Sequence, residues 1–210
     1  MAAISGVVLA GGQSRRLGTD KALVQVGALP VIERVLAVLR DLTDDLLIVA
    51  NNSRYGGLGA RVVADAWPNA GALGGVYTGV AAARYERALV LACDMPFPNP
   101  GLLRYIAALS AHYQVVMPNL DGLLEPLHAA YARSTLGPMQ AVLQVGGRRI
   151  REFLPQVGVR YVSRAELELF DPEHRSLLNI NTQADLQLAR SLAEPGAGIG
   201  GCGRGLTPHG

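Results

Sequence analysis

An uncharged, mostly apolar run at residues 4–9 passes almost at once into Gly11-Gly12-Gln13-Ser14-Arg15-Arg16-Leu17-Gly18-Thr19-Asp20-Lys21. This junction constrains the fold more than any other stretch. The run has the length and apolarity of a strand buried on both faces. Behind it come three glycines, two arginines and a lysine within eleven positions. Glycine lets backbone N–H groups come close to a ligand. Successive N–H groups in a turn make a concavity for anions, and guanidinium and ammonium groups suit phosphate oxygens. The physical reading is a polyphosphate cradle at the carboxyl end of a first strand. The bland alternative is a tight, solvated strand-to-helix turn. The spacing is not that of a Walker A loop, because Thr19 stands where that lysine belongs, and it is not G-x-G-x-x-G.

The rest of the chain repeats the alternation that this junction begins. Residues 22–26 read as a short extended piece. Residues 30–42 carry Val31, Val35, Leu36, Val38, Leu39 and Leu42 at helical spacing, with Pro30 near the first turn. Apolar runs of strand length follow at 46–50 and 88–93, further strands are read at 61–64, 114–117 and 159–162, and helical stretches are predicted at 76–84, 99–112, 134–143 and 184–192. Asp121-Gly122 marks a hairpin tip. Residues 125–131 read as a returning strand whose proline suits a sheet edge. Three arginines fall at 148–151, at a predicted helix start, and residues 166–174 read as a charged loop. Strands alternating with helices predict an α/β fold, a three-layer, doubly wound and mostly parallel sheet, in one domain over residues 1–194. Residues 195–210 hold seven glycines among sixteen positions and read as a disordered tail.

Several polar residues fall just past predicted strands, where open α/β sheets gather function. Asn51 and Asn52 follow the second long run. They either cap a loop or read a base edge, since an amide both donates and accepts. Asp65 follows the 61–64 run and precedes a glycine-rich helix entry at 68–75. Asp94 follows the 88–93 run. It is a loop cap or, beside a phosphate cradle, a ligand for Mg²⁺, which takes one or two carboxylates plus phosphate oxygens. His128 is a base, a polar pocket residue or simply a strand residue. Thr182 and Asp185 read as a capping pair.

Half the residues are apolar, and the formal charge is only +2, too little for the basic face of a nucleic-acid binder. The two cysteines, Cys93 and Cys202, and the four histidines form no metal pattern. The cysteine usage suits a reducing compartment. No basic-then-apolar leader is read at the N-terminus and no run reaches membrane-spanning length, so the expected location is the cytoplasm, without membrane or nucleic-acid partners. A monomer is the working assumption.

Leu9, Ala10, Gly11, Gly12, Ser14, Arg16, Gly18, Asp20 and Lys21 all fit the string L-A-G-G-x-S-x-R-x-G-x-D-K. In this the chain resembles the nucleotidyltransferases that attach a nucleotide to molybdopterin. Sugar-phosphate nucleotidyltransferases share the glycines, the arginine and the lysine. Asp94-Met95-Pro96 and Asn179-Ile180-Asn181-Thr182 match further family strings, though Gln183 stands where the family has proline. The resemblance implies a Rossmann-like nucleotidyltransferase fold and a Mg²⁺-dependent reaction. GMP would pass from GTP to the terminal phosphate of molybdopterin, giving the guanine dinucleotide form and pyrophosphate. It implies Arg16, Lys21 and Asp94 as catalytic residues and Asp94 as the metal ligand. Leu9, Ala10, Gly11, Gly12, Lys21, Asn51, Asn52, Asp65, Gly71 and Asp94 would surround the nucleotide. His128, Arg148, Arg149, Asn179 and Asn181 are candidates for the pterin side, the arginines being otherwise a solvated basic face. The rivals are a cytidylyltransferase for the same pterin, a sugar-phosphate nucleotidyltransferase, and a nucleotide-binding module without chemistry.

Overall fold

The computed structural model describes residues 3–10 and 20–194. Gly11, Gly12 and Arg16 of the cradle lie outside them, as do Cys202 and the glycine-rich tail. The first strand, β1 (Ser5–Leu9), is followed by a 3₁₀ turn at Lys21–Leu23, a small hairpin of β2 (Gln25–Val26) and β3 (Leu29–Pro30), and helix α1 (Val31–Arg40). Then come β4 (Leu46–Val49), a 3₁₀ turn at Ser53–Tyr55, β5 (Arg61–Val63), α2 (Gly71–Ala82), β6 (Arg87–Ala92) and α3 (Pro100–Leu109). The chain continues through β7 (Val115–Leu120), β8 (Leu123–Leu124), β9 (His128–Ala132) and α4 (Leu136–Gln144). It closes with β10 (Val159–Ser163), α5 (Arg164–Glu168) and α6 (Gln183–Ala193).

One eight-stranded sheet runs β10-β7-β9-β6-β1-β4-β5, with β8 paired to β7. β1 lies parallel to β4 and β6, β4 to β5, and β7 to β10, while β9 is antiparallel to both neighbours. Alternate side chains of each strand enter opposite layers, as the two-residue period requires. Val8, Ile48, Leu89 and Leu91 pack under Ile32, Val35 and Leu36 of α1 and Leu102, Leu103 and Ile106 of α3. Val7, Leu47 and Val90 pack under Leu73, Val76 and Val80 of α2 and Met139, Val142 and Leu143 of α4. Each such side chain, fully buried, contributes roughly 1.5–3 kcal/mol of transfer free energy, so the two apolar layers hold the sheet as the expected three-layer, doubly wound core. No described helix is long and apolar enough to cross a membrane.

Four local expectations need correction. α2 starts at Gly71, not at 76, because tertiary packing overrides the poor helix propensity of glycine. A Cβ on Gly79 would come within 2.5 Å of Val7 Cγ1, so only glycine lets α2 lie this close to β1. β9 is interior rather than an edge, since Pro126 precedes the ladder instead of interrupting it. Residues 164–168 are helical, started by a capping box between Ser163 and Glu166. Residues 150–152 make one 3₁₀ turn where a helix start was expected. The hairpin tip is as read: Asp121 and Gly122 both take positive φ between β7 and β8, the two-residue turn that matches strand twist.

Candidate active site

From β1 the chain moves outward to β4 and β5, then returns to the other side of β1 for β6. Ligands of open α/β sheets bind beyond the carboxyl ends of the strands at such a reversal. A cavity of about 640 Å³ opens there. The strand ends supply Leu9, Ala10, Val49, Ala50, Ala92 and Cys93. Asp20, Lys21, Asn51, Asp65, Asn69, Gly71, Ala72, Gly75, Asp94, Leu127 and Arg148 are the other described residues that line it.

Lys21 and Asp94 meet at one end of this cavity. Asp20 starts the Lys21–Leu23 turn by accepting from Ala22 N–H at 3.2 Å through Oδ1, and Tyr55 Oη donates to its Oδ2 at 2.8 Å. Burial and the Asp20 carboxylate both push the Tyr55 hydroxyl far above its usual pKa, so Tyr55 stays a donor. Lys21 Nζ donates to Asn181 Oδ1 at 2.7 Å and lies 3.6 Å from Asp94 Oδ2. Asp94 follows β6, and its carbonyl accepts from Ile180 N–H at 2.9 Å. Burial raises the Asp94 pKa, with Lys21 pulling against it. Cys93 beside it also lines the cavity, and burial pushes its thiol up to about 12, which disfavours the thiolate.

A polar corner stands at the other end. Asn51 Oδ1 accepts from Asp65 N–H at 2.8 Å. Asp65 Oδ1 accepts from Trp67 N–H at 3.0 Å and from Thr78 Oγ1 at 2.9 Å. Asn52 has a different job: its Oδ1 accepts from Arg54 N–H at 3.1 Å, which starts the Ser53–Tyr55 turn, and it does not line the cavity.

The pterin-side candidates separate. Asp185 accepts from the N–H groups of Asn181 and Thr182 at 2.9 and 2.7 Å, so the first turn of α6 sets Asn181. Asn179 Nδ2 donates to Leu177 O at 3.2 Å. Glu125, which is not among the residues singled out in the sequence, lies near enough to the Asn179 side chain for that amide to favour its charged form. Burial raises its pKa, and the charge of Asp94 raises it further. Arg148 lines the cavity, but beside Gly71 and Ala72 at the start of α2, while Arg149 does not line it. His128 is a correction. It is fully buried within β9, neither ring nitrogen has a hydrogen-bond partner among the described residues, and burial lowers its pKa to about 4. It does not line the cavity, and a ring so enclosed cannot exchange a proton with a substrate there.

A rim with a polar corner at one end and a lysine–carboxylate pair at the other can grip a nucleotide by base and phosphates together, which is the arrangement of a nucleotidyltransferase. Comparison with known proteins narrows this class. The model of the MobA-like NTP transferase domain matches residues 6–160, and the chain belongs to that family. A Pelotomaculum thermopropionicum protein named probable molybdenum cofactor guanylyltransferase is 37% identical over 191 residues, covering 90% of this chain and 93% of that one. One of the same name from Chloroflexus aggregans is 38% identical over 197 residues, covering 90% and 94%. The crystal structure of molybdopterin-guanine dinucleotide biosynthesis protein A from Archaeoglobus fulgidus matches with a TM-score of 0.77 at 28% identity, covering 90% of this chain and 97% of that one.

Proposed function

We propose that this enzyme transfers GMP from GTP to the terminal phosphate of molybdopterin, forming the guanine dinucleotide and pyrophosphate in the cytoplasm. The observation that carries this reading is the bridge made by Lys21, whose ammonium joins Asp94 on the nucleotide side to Asn181 at the start of α6. An oxygen of the pterin phosphate attacks the α-phosphorus in line, and the bond to the β-phosphate oxygen breaks. No covalent enzyme intermediate is required, so the rate comes from positioning and charge neutralisation. Lys21 balances charge on the triphosphate, joined by Arg16 from the cradle, with Gly11 and Gly12 offering backbone N–H groups. Asn181, which reaches the cavity wall through Lys21, and Asn179 and Glu125 behind it would offer polar groups to the acceptor, although none of the three lines the cavity.

The donor set fits Mg²⁺. Among the described residues no group of three or more acidic, histidine or cysteine side chains could hold a metal by itself. Mg²⁺ typically takes one or two carboxylates and fills its remaining positions with phosphate oxygens and water. Asp94 would hold it, and when bound it supplies electrostatic neutralisation at the reacting phosphate.

Asn51 and Asp65 support guanine as the base. The Asn51 oxygen is held by Asp65 N–H, so its NH₂ is the group left to donate, and guanine O6 is an acceptor. Asp65 Oδ1 is taken by Trp67 and Thr78, so Oδ2 is the oxygen left to accept from guanine N1–H and N2–H. Cytosine and adenine lack that pair of adjacent donors, and sites built on such hydrogen bonds can reject a mismatched analogue by about 10⁴. The test is turnover with molybdopterin, Mg²⁺ and limiting GTP, challenged by excess CTP or ATP. Guanylyl product should persist. Equal or better use of CTP makes the enzyme a cytidylyltransferase.

A further inference from the structure

Thr78 lies on α2, is only 3% exposed, and does not line the cavity. Its hydroxyl nevertheless has three partners. It accepts from Ala66 N–H at 3.0 Å, and it lies 2.9 Å from both Asp65 Oδ1 and Gly74 O. One hydroxyl proton cannot serve two acceptors fully. Gly74 O already has its helical partner in the N–H four residues on, and a hydrogen bond to an ionised carboxylate is about twice as strong as one to a neutral group. The proton therefore belongs chiefly to Asp65. The loop lies close against the helix at this contact: a Cβ on Gly74 would stand 2.8 Å from Trp67 O.

We infer that Thr78 is a positioning residue for base selection: by holding Asp65 Oδ1 it turns Oδ2 into the cavity as the acceptor that reads the guanine amino group. This rests on the reading of Asp65 given above. Two donors on one carboxylate oxygen, Trp67 N–H and the Thr78 hydroxyl, fix the carboxylate plane where one would leave it free to rotate. Threonine suits the role because its branched side chain has few rotamers. Its methyl packs while its hydroxyl works, so valine copies the shape and deletes only the bond. Without that bond Asp65 can swing, and the acceptor it offers is no longer in register with adjacent N1–H and N2–H donors.

The experiment compares GTP with inosine triphosphate, which differs from it by the absent 2-amino group. Calorimetric Kd values and steady-state kcat and KM with molybdopterin would be measured for the full chain and its Asp65→Asn, Thr78→Val, Thr78→Ala and Thr78→Ser variants, each first checked for cooperative melting. In the unmodified enzyme GTP should bind tighter than inosine triphosphate, and Asp65→Asn should erase the preference. Thr78→Val should cut it about tenfold, the size of one lost hydrogen bond, through Kd and KM with kcat nearly unchanged. Thr78→Ser should keep it. If valine fails to fold, alanine carries the same expectation. Loss of preference in Asp65→Asn with full preference in both Thr78→Val and Thr78→Ala would overturn the role of Thr78 alone. So would a serine variant as indiscriminate as valine. Full preference in Asp65→Asn would instead remove Asp65 as the reader, and the inference with it.

Discussion

Asp45 and Asp94 stand at opposite ends of two parallel strands that flank β1, and the protein treats them oppositely. Asp45 precedes β4 and is 2% exposed. Its Oδ2 accepts from Ser5 Oγ at 2.6 Å and Arg84 N–H at 2.8 Å, and its Oδ1 from Arg61 Nη2 at 2.9 Å. Burial works against its charge, yet Ser5, the Arg84 N–H and Arg61 together hold its pKa below the usual carboxylate range. Asp94 follows β6. Burial raises its pKa, and Lys21 at 3.6 Å does not reverse the shift. The difference teaches how one sheet can hold two carboxylates in opposite states. Asp45, at the amino end, spends its acceptor capacity on three protein donors. Asp94, at the carboxyl end, has the Lys21 ammonium at 3.6 Å among the described residues and lines the cavity.

Exchanging the two environments' losses breaks the comparison most sharply at Asp94. Asp94→Ala should cost on the order of 10²–10³ in kcat, the scale for losing one preorganised charge contact at a transition state, while the melting temperature holds or rises. A variant that folds and turns over at the normal rate with ordinary Mg²⁺ would remove Asp94 from the chemistry. Asp45→Ala should do the reverse. It strands Ser5, the Arg84 N–H and Arg61 together and should lower unfolding free energy by about 3 kcal/mol, read from denaturant melts, with kcat of the folded fraction unchanged. Unaltered stability would show that the amino-end network is dispensable.

His128 sharpens the comparison by a smaller amount. It is a buried polar group without a hydrogen-bond partner for either ring nitrogen among the described residues. Its folded pKa, about 4, lies below the ordinary 6.5. Between these values the unfolded chain binds a proton that the folded chain refuses. Its contribution is therefore complete above about pH 6.5 and is lost as pH falls toward 4, by about 1–3 kcal/mol. Denaturant melts at pH 7 and pH 5 should show a smaller acid loss in His128→Leu than in the parent. Equal losses would mean the ring finds a partner on protonation.

The strand-length runs and the residues that follow them were legible because a buried parallel sheet leaves both signals in sequence. Lys21, Asn51, Asp65 and Asp94 were all singled out, and the cavity brings them together. What escaped depends on contacts between distant segments. Thr78 has no local signature, since its meaning comes from a loop eleven or more residues earlier. Tyr55 reads as an ordinary aromatic until it meets Asp20. His128 reads as a base, a pocket residue or a plain strand residue; its place in β9, opposite Leu91 of β6, leaves it fully buried. The α5 helix was different: Ser163 and Glu166 carry the spacing of a capping box, a signal present in the sequence and outweighed by the surrounding charges.

Lys21 and Asn181 are 160 positions apart, and Ile180 reaches back to the Asp94 carbonyl. The order of synthesis therefore separates the polar corner and Asp94 from the late segment they are tied to through Lys21. A chain emerging from the ribosome has Asn51, Asp65 and Thr78 of the polar corner once α2 and its neighbouring strands are out. It lacks the lysine bridge until the segment before α6 follows, beyond residue 160 where the family match stops. Until then the growing chain holds Lys21 and Asp94 without the segment that both of them bind in the finished fold.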